Sequence, residues 1–151
     1  MEPINLYTDG SSRGNPGPGG YGVVLICGKY RKELSGGYLK TTNNRMELLA
    51  VIVGLEAIKW SGASVNVYSD SSYVVKAIND GWLNNWVKKG LNKQKNPDLW
   101  RRYLLVSKKF NLKFHWIKGH AGHIENERCD KLAVEAAMAQ NLNIDEGFEN
   151  L

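Results

Sequence analysis

The order of β-prone and helix-prone segments constrains the fold of this chain more than any other feature. Two consecutive strand-like segments, separated only by Gly28-Lys29, predict a hairpin. Beyond the hairpin, helix-like and strand-like segments alternate, which is typical of an α/β domain with a mixed sheet and helices on its faces. The predicted strands are 4–8, 22–27, 30–40, 65–69 and 112–117, and the predicted helices are 45–59, 71–79, 99–109 and 126–140.

Length and composition exclude several classes of protein. The chain has 151 residues, the size of one domain, and its 42% hydrophobic and 23% charged residues are ordinary for a globular protein. No apolar run approaches the ~20 residues of a membrane span, and the first residues do not resemble a signal peptide. We predict one domain over 1–140 and a loose acidic tail over 141–151. Cys27 and Cys129 match no metal-binding spacing, and reduced thiols indicate a cytoplasmic protein.

A glycine-rich and proline-rich segment follows the first predicted strand. Residues 10–22 contain six glycines and two prolines, which predicts irregular backbone. The G-x-G-x-x-G pattern at 17–22 precedes a strand, whereas a dinucleotide-binding loop must open a helix, so we reject that interpretation. We therefore expect no organic cofactor.

The net charge of +5 is distributed unevenly along the chain. Residues 76–118 contain eleven basic residues and only two acids, Asp80 and Asp98, so this segment carries +9 and the rest of the chain −4. A local excess of this size favours a polyanionic partner such as nucleic acid. The alternative is a solvated lysine-rich surface.

Four carboxylates are candidates for a common site. Asp9 and Asp70 each follow a predicted strand, and ligand crevices in open α/β sheets lie beyond strand ends. Glu47 is the only charge on the first turn of an apolar helix, and Asp130 flanks an apolar stripe on the last helix. Each also has an ordinary alternative: a turn before glycine for Asp9, an N-cap for Asp70, a capping box with Asn44 for Glu47, and a solvated carboxylate for Asp130.

Taken together, the four acids predict a metal site. Converging carboxylates repel one another unless cations lie among them. Oxygen ligands favour a hard ion, Mg²⁺ or Mn²⁺. An acidic site beside a strongly basic segment is typical of metal-dependent phosphodiester chemistry.

Several motifs, in order over about residues 4–140, resemble those of a type 1 ribonuclease H of the bacterial, single-domain form. They are TDGS at 8–11, GNPGPGGYG at 14–22, TTNNRME at 41–47, SDS at 69–71, and KGHAGH at 118–123 leading to NERCD at 126–130. The resemblance implies the ribonuclease H-like fold: α/β, with a five-stranded mixed sheet of strand order 3-2-1-4-5 and helices on both faces. It also implies an endonuclease that hydrolyses the RNA strand of RNA–DNA hybrids and leaves 5′-phosphate and 3′-hydroxyl ends.

The resemblance implies a role for each matching residue. Asp9, Glu47, Asp70 and Asp130 would bind two ions, ~3.5–4 Å apart, with Asp9 bridging both. His120 would transfer a proton or assist product release, and Glu127 would be an accessory acid. The expected substrate contacts are the 2′-hydroxyl-sensing residues Asn15, Asn43 and Asn44, the DNA-phosphate residues Lys40 and Thr42, and, in a basic protrusion at about 81–96, Trp82, Trp86, Lys88 and Lys89.

The chain departs from the family pattern in the protrusion. Leu91 stands where the bacterial form often has a third tryptophan, and the segment up to Trp100 is several residues shorter. We therefore expect a weaker or differently salt-dependent affinity for the hybrid, with the chemistry intact. The alternatives are a catalytically silent hybrid-binding domain, which would normally lack one of the acids, and another nuclease of the same fold. We also expect a monomer that does not associate with membranes.

Overall fold

A five-stranded mixed sheet forms the centre of the computed structural model, which describes residues 2–149. The strands are β1 Ile4–Ser12, β2 Gly17–Cys27, β3 Tyr30–Thr41, β4 Ser64–Ser69 and β5 Asn111–Trp116. The spatial order is β3-β2-β1-β4-β5, so the predicted order is confirmed. The pairs β1–β2 and β2–β3 are antiparallel, while β1–β4 and β4–β5 are parallel. The predicted hairpin turn at Gly28-Lys29 connects β2 to β3.

Helices cover both faces of the sheet. They are α1 Asn43–Glu56, α2 Ser72–Asn79, α3 Trp82–Lys89, α4 Pro97–Ser107, α5 Ile124–Ala137 and α6 Glu146–Glu149. On one face α1 packs against β1 and β2, and on the other α5 packs against the same two strands and β3. Most of α1 is buried because α4 covers its outer side, which explains why its sequence is nearly all apolar. Within residues 2–149, no helix has the length and apolar character that crossing a membrane requires.

The glycine-rich segment differs from its prediction, because most of it is regular strand. β1 continues to Ser12 and β2 already begins at Gly17, so only residues 13–16 connect them outside the sheet. Two of the glycines are required because α5 lies directly on the strand backbone. A Cβ atom at Gly22 would be 2.2 Å from the carbonyl oxygen of Cys129 on α5, and one at Gly20 would be 2.4 Å from that of Ala133. Close helix–sheet contact, and not an irregular loop, therefore explains Gly20 and Gly22.

The basic protrusion predicted at 81–96 consists of α3 and a short 3₁₀ helix, Leu91–Lys93. Its two tryptophans have different environments. Trp86 is half-buried with its ring 5.7 Å from that of Trp100, whereas Trp82 is exposed. The lysines of the protrusion are exposed, so it combines a small apolar anchor with a cationic outer surface.

The expectation of a loose C-terminal tail does not match the structure of residues 142–149. Asn143 pairs with the edge of β3, donating its N–H to the carbonyl of Gly37 and accepting from the N–H of Leu39. Asp145 is buried and forms an ion pair with Arg45 of α1. Composition suggested a solvated tail, but its polar groups find partners on the body of the domain. Residues 150 and 151 of the predicted tail lie outside the described residues.

We predict that replacing Gly22 by Val lowers the free energy of unfolding by about 1–3 kcal/mol, because the added side chain overlaps α5 and forces it away from the sheet. Urea denaturation followed by circular dichroism measures this change. Ser35→Ala is the matched control, since Ser35 is paired with Gly22 on the neighbouring strand but is exposed. Equal stability of Gly22→Val and Ser35→Ala would contradict the close contact between α5 and β2.

Candidate active site

Three carboxylates from three different elements meet at one edge of the sheet. Asp9 lies on β1, Glu47 on the first turns of α1, and Asp70 directly after β4. Each contributes a carboxylate oxygen, and these three oxygens lie within 4.8 Å of one another. Asp9 and Glu47 are buried and Asp70 is half-buried. The predicted convergence of these acids is therefore present in the structure.

The sheet topology explains why residues so distant in sequence come together. Because β1 and β4 are parallel neighbours, their carboxyl ends lie at the same edge and carry Asp9 and Asp70 to one place. The start of α1 approaches β1 closely at Gly10, where a Cβ atom would be 2.3 Å from the backbone nitrogen of Glu47. This approach brings the Glu47 side chain within hydrogen-bond distance of the strand.

Hydrogen bonds at Gly10 orient two of the acids. Its N–H donates to Oδ1 of Asp9 at 3.0 Å and also to Oε1 of Glu47. A shared backbone donor holds the two carboxylates side by side without neutralising them. The remaining oxygens therefore stay available to a ligand.

Burial and mutual repulsion shift the ionisation of this cluster. Burial, reinforced by the carboxylates of Asp70 and Asp130, raises the pKa of Asp9 to about 8. Burial, followed by repulsion from Asp9 and Asp70, raises the pKa of Glu47 well above its ordinary value. Carboxylates that resist ionisation in one another's presence, with only oxygen donors, fit a hard divalent cation. The cluster is thus suited to hold a metal ion.

Asp130 and His120 line the same cleft, together with Ser11 and Asn43. Asp130 is half-buried on α5, but its oxygens are not within the 4.8 Å grouping of the other three acids. His120 is exposed on the loop before α5 and adopts the left-handed conformation, with φ 55°. The cleft is therefore bordered by one further acid and by one group that can exchange protons.

The helix caps do not account for these acids. The N-cap of α1 is Thr42, whose hydroxyl accepts from the N–H of Arg45, so Asn44 does not form the capping box considered for Glu47. The N-cap of α2 is Ser71, whose hydroxyl accepts from the N–H of Val74. Asp70 is therefore not the cap of α2. The capping alternatives for Glu47 and Asp70 do not hold.

A second cleft lies beside the acidic one and contains further predicted substrate contacts. Thr42 and Asn44 line it from α1, and Asn15 lines it from the loop between β1 and β2. Asn15 also accepts a hydrogen bond from the N–H of Asn43, at 3.0 Å. The cleft is also lined by residues that the sequence analysis did not single out, namely Asn92, Gln94, Lys95, Asn96, Pro97 and Phe148. Their position next to Thr42 is visible only in the folded chain.

The other predicted site residues lie around these clefts. Lys40 is exposed near the end of β3, one residue before the buried Thr41. Glu127 is exposed on the first turn of α5, while Lys88 and Lys89 end α3 in the protrusion. None of these four belongs to the carboxylate cluster, so their roles remain predictions.

Sequence comparisons identify close relatives along almost the whole chain. A family model described as RNase H matches residues 1–138. A ribonuclease H from Desulforamulus reducens is 56% identical over 96% of this chain and 94% of its own length. A ribonuclease H from Syntrophus aciditrophicus is 55% identical over 98% of this chain and 88% of its own.

Comparison with solved structures gives the same result. LC9-RNase H1, a type 1 RNase H with the type 2 active-site motif, superposes with a TM-score of 0.85 at 30% identity, covering 99% of this chain and 80% of that one. LC11-RNase H1, solved in complex with an RNA/DNA hybrid, has a TM-score of 0.66 at 31% identity, covering 89% of this chain and 96% of that one.

We predict that, in chelating buffer, the free energy of unfolding decreases as the pH rises from about 5 to 8, by up to about 1.4 kcal/mol per pH unit for one group. The folded state holds a proton on Asp9 up to about pH 8, whereas the unfolded chain loses it near 3.8, so rising pH favours unfolding. Urea denaturation across this pH range measures the slope. Asp9→Asn should flatten this slope, whereas Asp80→Asn, which replaces an exposed acid, should leave the slope unchanged. A slope as steep in Asp9→Asn as in the wild type would contradict this assignment.

Proposed function

Because the chain belongs to the ribonuclease H family, we propose that it is an endonuclease that hydrolyses the RNA strand of RNA–DNA hybrids. The observation that carries the proposal is the meeting of Asp9, Glu47 and Asp70 in one cleft that His120 and Asp130 also line. The hybrid as substrate is supported by LC11-RNase H1, which binds an RNA/DNA hybrid and superposes on 89% of this chain. The products would carry 5′-phosphate and 3′-hydroxyl ends.

The proposal includes Mg²⁺, with Mn²⁺ as a substitute, held by Asp9, Glu47, Asp70 and Asp130. The all-carboxylate donor set and the raised pKa of Asp9 support a hard divalent cation. When bound with the substrate, two such ions would supply water activation and charge neutralisation at the leaving oxygen. Asp9, buried on the central strand β1, would hold these ions together with Glu47 and Asp70.

The chain's own residues would orient the hybrid over this cluster. Asn43 lines the acidic cleft and Asn15 and Asn44 line the neighbouring one, where amide groups can sense a 2′-hydroxyl in a wide minor groove. Thr42, with Lys40 nearby, would contact a phosphate of the DNA strand. These contacts would give the preference for RNA over DNA at the cleavage position.

Groups at the border of the acidic cleft would handle the protons. His120 lines this cleft from an exposed loop, where it can accept a proton or assist the departure of product. Glu127, exposed on the first turn of α5, would act as an accessory acid.

The basic protrusion would bind the DNA strand at a distance from the reaction. Trp82 offers an exposed ring for contact with sugars or bases, while Trp86 anchors α3 to the body through Trp100. Lys88 and Lys89 offer exposed ammonium groups for neighbouring phosphates. A silent binding domain is disfavoured because all four predicted metal-binding acids are present.

We further propose that the protein acts as a monomer in the cytoplasm. Its two cysteines are free thiols: Cys129 is buried and Cys27 half-buried. Free thiols are the ordinary state in a reducing compartment.

We predict Mg²⁺-dependent cleavage of an RNA–DNA hybrid, with little cleavage of duplex DNA or duplex RNA of the same sequence. Labelled substrates resolved on a denaturing gel, with and without chelator, measure this preference. Asp9→Asn reduces cleavage by at least about a thousandfold while hybrid binding persists, because the substrate contacts lie elsewhere. Asp80→Asn serves as the control with the same change of charge. Equal cleavage of duplex DNA, or an active Asp9→Asn variant, would contradict the proposal.

We predict that the double substitution Lys88→Ala and Lys89→Ala raises KM for the hybrid. It should also make the fall of log affinity with log salt concentration less steep by about two, one for each lost phosphate contact. Activity measured over a salt series gives both values. Lys108→Ala with Lys109→Ala is the matched control, because this exposed pair lies between α4 and the start of β5, at the amino ends of the parallel strands β4 and β5, away from the carboxylate cluster. An equal effect of the two double substitutions would indicate a general charge effect and contradict the assigned role of the protrusion.

A further inference from the structure

Arg45 is a buried cation at the start of α1, with 1% of its side chain exposed. Its guanidinium group has five N–H donors. Nε and one terminal nitrogen donate to Asp145 at 2.8 and 2.9 Å. The terminal nitrogens also donate to the two oxygens of Asp98 at 2.9 and 2.7 Å, and one donates to Asn96 at 3.3 Å. Every donor is therefore used, and two carboxylates surround the charge.

Asp145 binds the end of β3 as well as α1. The hydroxyl of Thr41 donates to Oδ2 of Asp145, the same oxygen that accepts from Nε of Arg45. Thr41 is fully buried, and Thr42, the next residue, is the N-cap of α1. A single carboxylate from the C-terminal segment thus fixes both sides of the turn between β3 and α1.

The C-terminal segment is fitted closely to this ion pair. A Cβ atom at Gly147 would lie 1.9 Å from Oδ2 of Asp98 and 2.7 Å from a terminal nitrogen of Arg45, so a larger residue there would have to displace this ion pair. One residue further, Phe148 lines the cleft that also contains Thr42 and Asn44. The segment therefore both supports the start of α1 and lines the cleft beside its polar side chains.

We propose that Asp145 is a positioning residue for the hybrid, and that the segment 143–148 completes the substrate cleft. Through Arg45 and Thr41, Asp145 holds the backbone that presents Thr42 and Asn44, while Phe148 lines the same cleft. The inference rests on the proposed function, since it assigns a substrate-binding purpose to this segment.

Glu47 has a separate support, which makes the proposal testable. Its carboxylate accepts from the N–H of Gly10 on β1, so it is held to the sheet independently of Asp145. Loss of the Asp145 charge should therefore weaken binding of the hybrid more than it disturbs the arrangement of the metal-binding acids. The kinetic signature of such a loss is a higher KM at nearly constant kcat.

Asp145→Asn tests the proposal, with Glu56→Gln as the matched control. Glu56 is at the other end of α1 and pairs with Arg102 of α4, so both substitutions remove one acid that binds an arginine and change the net charge equally. We expect Asp145→Asn to raise KM for the hybrid about tenfold, with kcat changed less than twofold, because misplaced Thr42 and Asn44 side chains lower the affinity for the substrate. Glu56→Gln should leave both constants at the wild-type values.

Asp145→Glu and Phe148→Ala extend the test. Asp145→Glu keeps the charge and should restore part of the affinity, which a purely steric role would not predict. An unchanged KM in folded Asp145→Asn, as verified by circular dichroism, overturns the proposal. If Asp145→Asn does not fold, Phe148→Ala decides, because it leaves the ion pairs intact: a raised KM supports the proposal and an unchanged KM overturns it. A wild-type protein that fails to cleave the hybrid would instead refute the proposed function.

Discussion

Repulsion among buried carboxylates is the constraint on which the rest of the structure depends. Burial, followed by repulsion from Asp70, raises the pKa of Asp9 to about 8 in a cluster that also contains Glu47. Such a cluster lowers the free energy of unfolding of the domain. The extensive apolar core between α1 and the sheet offsets this loss of stability. A cluster of this kind is suited to a hard divalent cation, because a cation among the carboxylates relieves the crowding that opposes their ionisation.

The basic surface and the acidic cluster occupy different parts of the molecule, so substrate binding and the chemistry at the acids can vary independently. Lys88 and Lys89 end α3, which rests on the body through Trp86 and Trp100, and Lys93 lies on the neighbouring 3₁₀ helix. The acids lie on β1, on α1 and after β4. We therefore expect the shorter protrusion, with Leu91 in place of a third tryptophan, to change the affinity for the hybrid without moving the acids.

The hairpin and the strand–helix alternation could be predicted from local patterns, because hydrophobic periodicity and turn residues mark them. The strand order and the meeting of the acids could be predicted only with the resemblance to type 1 ribonuclease H, because local patterns do not say which strands are neighbours. The remaining features depend on contacts that sequence proximity does not reveal. Gly20 lies within β2 directly under α5, and Asp145 is buried because Arg45, 100 residues earlier, provides its counter-charge. Composition alone suggested a loop in the first case and a loose tail in the second.

The distance in sequence between Arg45 and Asp145 has a consequence for biosynthesis. A ribosome completes β1, α1, β4 and α5, and with them every predicted metal-binding acid, before it reaches residue 145. A chain that ends near residue 140 would therefore contain all four predicted metal-binding acids while Arg45 lacked one of its two carboxylate partners. A message truncated near codon 140 would thus encode the acidic cluster without the ion pair that fixes the start of α1 to the C-terminal segment.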